Sequence, residues 1–177
     1  PGKLEAVSYR GGKEISRYAI ETVGEPYKIK LTTIENPEGF KADGADLALV
    51  QIEVVDKQGR RCPLDNRMID LHLWGEGKLL GGIATPITKN ADKAEAKKNA
   101  ENGKEGMLDG PQTVSTFTNF IGESSLPVEC GVNRVLVRST VNAGEINLTA
   151  AAKGLAPVTI TMHTSAIDTR NGVSTYN

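Results

Sequence analysis

The run from Leu47 to Asp56 constrains this chain more than any other stretch. Val50, Ile52 and Val54 alternate with Gln51, Glu53 and Val55, the period of a strand with one face against a core. Turn chemistry bounds it on both sides, Ala42-Asp43-Gly44 before and Asp56-Lys57-Gln58-Gly59 after. A long strand with an apolar face needs partners, and the later apolar runs supply them. Ile29 and Leu31 alternate within Lys28 to Thr32, and Ile69, Leu71 and Leu73 alternate with Asp70, His72 and Trp74. Lys78-Leu79-Leu80 is a short run enclosed by Gly75, Gly77, Gly81 and Gly82. Val135 and Val137 alternate with Arg134, Leu136 and Arg138. Ile146, Leu148 and Ala150 follow a Val141-Asn142-Ala143-Gly144 turn, and Val158, Ile160 and Met162 follow Lys153-Gly154-Leu155-Ala156.

Short strands between closely spaced turns, with no long helical period, predict an all-β, immunoglobulin-like antiparallel β-sandwich. The 19 glycines and 5% aromatic content suit such a fold, with tight turns and an aliphatic core. Val50, Ile52, Val135, Val137, Ile146, Leu148 and Ile160 are its expected core. Ahead of it, Leu4–Tyr9 and Ile15–Thr22 read as a β-hairpin closed by Arg10-Gly11-Gly12-Lys13, whose glycines permit the positive φ angles of a tight turn. A lone hairpin is marginal in water, so this one must lean on something. Val23-Gly24-Glu25-Pro26 reads as a boundary. The expected organisation is a terminal hairpin of a preceding domain at 1–24, the sandwich at 25–165 and a tail at 166–177.

The charges exclude some functions. With 21 basic and 22 acidic side chains the net charge is -1, so no global field draws nucleic acid or an anionic membrane. No apolar run approaches the roughly 20 residues that span a bilayer. The chain opens Pro1-Gly2-Lys3 without an initiator Met, which reads as a removed leader or a piece of a longer protein. Thr88 to Gln112 is rich in Lys, Ala, Asn, Glu and Gly; it reads as a polar insertion, with a short helix over Asp92–Ala100 capped by Asn90 as one form it can take.

No catalytic constellation is visible. Asp43, Asp46, Glu53, Asp56, Glu123, Glu129 and Glu145 sit in turns or on polar strand faces, without the fixed separation that paired-carboxylate chemistry needs. Asp43-Gly44-Ala45-Asp46 has the look of a calcium turn but lacks further oxygen ligands at regular spacing. His72 and His163 fall on polar faces of different strands, away from other ligand types, so no metal or cofactor is expected. Cys62 follows the long strand and Cys130 precedes its antiparallel partner, which makes them near neighbours; two independent thiols are the default and a disulfide the alternative. Trp74, the only tryptophan, is the one candidate carbohydrate contact. Stacked on a sugar, with Phe117, Phe120 or Tyr27 beside it and Asn66 or Asn119 fixing hydroxyls, it would make a binding site. Covering the open end of the core is the commoner role for a single Trp. Asn147-Leu148-Thr149 matches a glycosylation sequon but falls within a strand.

Several of these motifs together resemble one family. Ala42-Asp43-Gly44-x-Asp46 with the strand that follows and the Gly59 turn running to Pro63 resembles bacterial immunoglobulin-like domains in general. Pro1-Gly2-x-Leu4-x-Ala6-x-x-Tyr9-x-x-Gly12-Lys13 looks like the end of the immunoglobulin-like domain after the barrel of bacterial family 2 glycoside hydrolases of the β-galactosidase type. Asp65-Asn66-x-x-Ile69, Gly75-x-Gly77-x-Leu79-Leu80-Gly81, Val135-x-Val137-Arg138-Ser139, Ala143-Gly144-x-Ile146-x-Leu148-x-Ala150 and Gly154-Leu155 look like the C-terminal domain of the same enzymes. The match covers most of the chain except Thr88–Gln112. It departs after Gly81, where an Asn-Gly-Asp type turn is replaced by Gly82-Ile83-Ala84-Thr85.

The resemblance implies a non-catalytic accessory β-sandwich. In that family the two catalytic glutamates belong to a (β/α)₈ barrel, which nothing here resembles. The implied partners are other domains of the parent enzyme, and the implied location is the periplasm or the cell exterior. The alternatives are a carbohydrate-binding module acting through Trp74 and an adhesin-type immunoglobulin domain.

Overall fold

The computed structural model describes residues 1–84, 119–167, 169–170 and 173–174. The polar insertion, the helix expected over Asp92–Ala100 and Phe117 lie outside the described residues. The described elements are all strands, and the pairs between them are antiparallel apart from an isolated bridge between Lys41 and Ser165.

The hairpin consists of β1 (Lys3–Arg10) and β2 (Lys13–Glu21), which form a sheet of their own. Gly11 and Gly12 take φ of 56° and 76°, as a two-residue turn between right-twisted strands requires. Its register puts Leu4 opposite Ile20 and Ala6 opposite Tyr18 on one face. Arg17 bridges Glu5 and Glu14 at 2.8 Å on the other. The apolar face is open to solvent, with Leu4 72% and Tyr18 68% exposed.

Two sheets make the sandwich. One is β3 (Lys28–Ile34), β4 (Leu47–Val55), β9 (Val132–Ser139), β6 (Gly77–Ile83) and β7 (Asn119–Ile121), in that order. The other is β11 (Leu155–His163), β10 (Glu145–Ala152), β5 (Met68–Gly75) and β8 (Ser125–Pro127). A further short pair joins β12 (Thr169–Arg170) to β13 (Val173–Ser174). β4 holds the alternating run of Val50, Ile52 and Val54. It is paired along its length, Val50 with Thr33 of β3 on one side and with Val135 of β9 on the other. Its inward Val50, Ile52 and Val54 are fully buried in one cluster with Val135, Val137, Ile146 and Leu148. Val55, expected outward, is also buried, where Arg61 bridges back to the strand end.

Ile160 departs from the expected core. It is only partly buried: β11 is an edge strand paired with β10 alone, and of its inward row Val158 and Ile160 stay half-open while Met162 is covered. In its place the core takes Leu126 and Val128, both wholly buried, on and just after β8. That strand is three residues long and ends in proline, too short to show a period. Gly81 has φ of 75°, and a Cβ there would lie 1.9 Å from the Phe120 carbonyl oxygen. Only glycine lets β6 carry its register shift and still accept β7.

Removing the core of β4 should cost far more than removing its outer face. Ile52→Ala is expected to lose about 2–5 kcal/mol. Glu53→Ala gives up a surface pair with Lys30 at 3.1 Å and should lose less than about 1 kcal/mol. Urea midpoints at constant slope measure both, and equal losses would refute the facing of the strand.

Candidate functional site

The most heavily bonded side chain in the described structure is Asp56, at the end of β4. Its Oδ1 accepts the backbone N–H groups of Gln58 and Arg60 at 3.0 and 2.9 Å. Its Oδ2 accepts the Gly24 N–H at 2.9 Å and the Arg60 Nε–H at 2.8 Å. Arg60 continues to Glu21 on the hairpin at 3.0 Å. Burial alone would push the carboxyl up; the N–H groups of Gly24 and Arg60, the Arg60 guanidinium and the Gln58 N–H outweigh it and hold it well below the usual carboxylate range. Asp56 therefore stays ionised and ties the Val23–Pro26 linker to the Gly59 turn. A carboxylate so committed has no role as an acid or base at neutral pH.

Because its folded pKa lies below the unfolded value, Asp56 contributes stability above about pH 4 and loses it as pH falls further. Asp56→Asn should lower the melting temperature at pH 7, and the gap to the unsubstituted chain should narrow as pH drops below about 4. A gap independent of pH would mean the anion is not what holds the turn.

Asp43, Asp46 and Asp65 are committed in the same way. Asp43 Oδ1 accepts the Ala45 and Asp46 N–H groups at 2.8 and 2.6 Å, and Asp46 accepts from Lys41 and Leu47 at 2.8 and 2.9 Å. The supposed calcium turn is thus a backbone-capping turn leading into β4. Asp65 is clasped by Arg67, which also donates to the Lys153 carbonyl at 2.9 Å. This clasp forms one wall of an open hollow of about 690 Å³ beside Glu25, Pro26 and Leu64. Among the described residues no group of three or more His, Cys, Asp or Glu is placed to hold a metal. His163 is exposed and stands 4.0 Å from Glu145.

Gly131, next to Cys130 in sequence, packs against Cys62, where a Cβ on it would lie 2.2 Å from the Cys62 carbonyl oxygen. Both thiols are nevertheless free, Cys62 buried and Cys130 exposed. Cys62 turns its sulfur to the Gly24 and Arg60 carbonyls at 3.8 and 4.0 Å.

Trp74 does not cover the end of the core. It occupies an outward position near the end of β5, 45% exposed, with the His72 ring 5.6 Å away and tilted by 32°. Three of the partners suggested by sequence, Asn66, Phe120 and Tyr27, are elsewhere. Asn66 precedes β5, roughly 26 Å of strand from Trp74, and its Oδ1 accepts the Cys130 N–H at 2.9 Å. Phe120 packs against the core, and Tyr27 lies under the Lys57 ammonium. Pairing across the sheet brings other groups to the indole. Trp74 stands opposite Asn147 of β10, itself opposite Thr161 of β11, and His72 heads a second row through Thr149 to Thr159. Thr161 donates to Asn147 Oδ1 at 2.7 Å, and the Thr149 and Thr159 hydroxyls share a hydrogen bond of 2.6 Å. Sequence reasoning missed this group because its members join only through the β5–β10–β11 register. The period-2 placement of Asn147, Thr149, Thr159 and Thr161 was the available signal.

Comparison with known proteins places the chain. Residues 29–108 match the family model described as glycoside hydrolase family 2 C-terminal domain 5. A β-glucuronidase of Formosa agariphila is 33% identical over 174 residues, 98% of this chain and 15% of that protein. A β-galactosidase of Thermoanaerobacter pseudethanolicus is 30% identical over 122 residues, 69% of this chain and 15% of its own length. Among solved structures, a family 2 β-glucuronidase superposes with a TM-score of 0.73 at 33% identity, over 97% of this chain and 15% of that one. A family 2 glycosyl hydrolase from Bacteroides cellulosilyticus gives 0.67 at 26% identity, over 93% and 17%. The chain thus spans about 15% of the length of these curated relatives.

Proposed function

Because the chain belongs to the C-terminal immunoglobulin-like region of family 2 glycoside hydrolases, we propose that it serves as a non-catalytic accessory sandwich of such an enzyme, packed against its other domains while a separate barrel hydrolyses the glycosidic bond. The observation that carries this reading is coverage: nearly the whole chain aligns with about 15% of a β-glucuronidase.

Two exposed apolar surfaces support it as docking faces. One is the hairpin face of Leu4, Ala6, Tyr18 and Ile20, which has an ionic ladder behind it and no sandwich strand paired to it. The other is a row across the outer face of the five-stranded sheet, Ile34 opposite Leu49 opposite Leu136. Ile34 and Leu136 are 49% and 37% exposed. Contiguous apolar surface of this kind marks contact with another protein surface. The division into a hairpin at 1–24, a sandwich at 25–165 and a tail at 166–177 belongs to the same reading, the hairpin completing a preceding domain. So does a parent that works in the periplasm or outside the cell, which cell fractionation would check.

The purified chain should not turn over chromogenic β-galactosides or β-glucuronides. Deleting this segment from the parent enzyme should lower the parent's melting temperature, and Leu4→Asp with Tyr18→Asp should do the same by charging the docked face. Turnover by the isolated chain, abolished on replacing one of its acids, would overturn the accessory role.

A further inference from the structure

The outer face of the four-stranded sheet carries a different chemistry from the rest of the sandwich. None of β5, β8, β10 or β11 contains a lysine or arginine, whereas Lys28, Lys30, Lys78, Arg134 and Arg138 all lie on the five-stranded sheet. The outward positions of the four-stranded sheet combine an exposed indole and the imidazoles of His72 and His163 with hydroxyls and an amide, and their only acids are Asp70 and Glu145. This is not the composition of an apolar docking face such as Ile34–Leu49–Leu136. It is not that of an anion site either, since an anion would meet two carboxylates and no lysine or arginine.

From this placement we infer that Trp74 and His72, together with Asn147, Thr149, Thr159 and Thr161, form a binding surface for a neutral oligosaccharide chain. Each element matches a requirement of such a ligand. The apolar face of a pyranose stacks on an aromatic ring, and Trp74 at 45% exposure offers one. Sugar hydroxyls need both donors and acceptors. Thr161 spends its proton on Asn147 Oδ1, so its oxygen can still accept and the Asn147 amide N–H₂ can still donate. In the Thr149–Thr159 pair one hydroxyl donates to the other and leaves one proton for a ligand. These cross-strand bonds also fix the side chains before a ligand arrives, which lowers the ordering cost of binding. Adjacent strands stand about 4.8 Å apart, so the rows from β5 to β11 run roughly 10 Å across the sheet, enough for more than one sugar unit. The site lies on this chain's own strands and does not depend on the accessory role proposed above.

The test titrates the 177-residue chain with short neutral oligosaccharides of β-linked glucose, xylose and galactose, with oligogalacturonate as the anionic comparison. The fluorescence of the single tryptophan should change saturably with at least one neutral probe, at a Kd in the micromolar to millimolar range. Calorimetry should find no binding in Trp74→Ala and roughly fivefold weaker binding in Asn147→Ala, the loss of about one hydrogen bond. Should Trp74→Ala melt early, Asn147→Ala and Thr161→Val, both on the outer face, carry the test with their melting temperatures measured alongside. The inference is overturned if no neutral probe binds at millimolar concentration, which would leave the face to a protein neighbour. Unchanged binding in a folded Trp74→Ala or Asn147→Ala overturns it too, as does tighter binding of oligogalacturonate than of every neutral probe.

Discussion

The packing of β4's inward row against the facing sheet is the interaction on which the rest of the structure depends. Val50, Ile52 and Val54 lose all contact with water in one cluster with Ile146 and Leu148 of β10. Burying such side chains is worth about 1.5–3 kcal/mol each. The same strand holds β3 on one side and β9 on the other, so sheet pairing and sheet stacking meet at these residues. Its flanks are set by carboxylates. Asp43 and Asp46 cap the turn that enters β4, and Asp56 gathers the turn that leaves it.

Asp56 also explains how the hairpin is held. A two-stranded ribbon with an exposed apolar face has little stability of its own. Here its linker is tied through the Gly24 N–H to Asp56, and its last residue, Glu21, pairs with Arg60, which in turn grips Asp56. The anchor is polar and sits at the base of the ribbon. The apolar face above it stays open to solvent.

The two sheets divide the chemistry of the outer surface. The five-stranded sheet carries the cations and an apolar row, and the four-stranded sheet carries hydroxyls, an amide and the indole–imidazole pair. Sheets of one sandwich share a core but not an environment, so each outer face is free to serve a different neighbour.

What the sequence alone determined is what a period of two and turn residues can express. The alternation of Val50, Ile52 and Val54, of Val135 and Val137, and of Ile146 and Leu148 marked inward faces that are in fact buried. Gly11-Gly12 marked a turn that takes two positive φ angles. The motifs that resemble family 2 enzymes led to the family that comparison confirms. Tertiary structure decided the rest, because it turns on which strands become neighbours. Leu126 enters the core on a strand too short to carry a period, and on the edge strand β11 the core covers Met162 but leaves Ile160 half-open. Asp56 takes Gln58 and Arg60 from its own turn, but its bond to Gly24 joins segments 32 residues apart, which no local pattern announces. Trp74 met Asn147 and Thr161 rather than Asn66 for the same reason: a side chain's neighbours across a sheet are set by register between distant segments, and register is fixed only when the two faces pack.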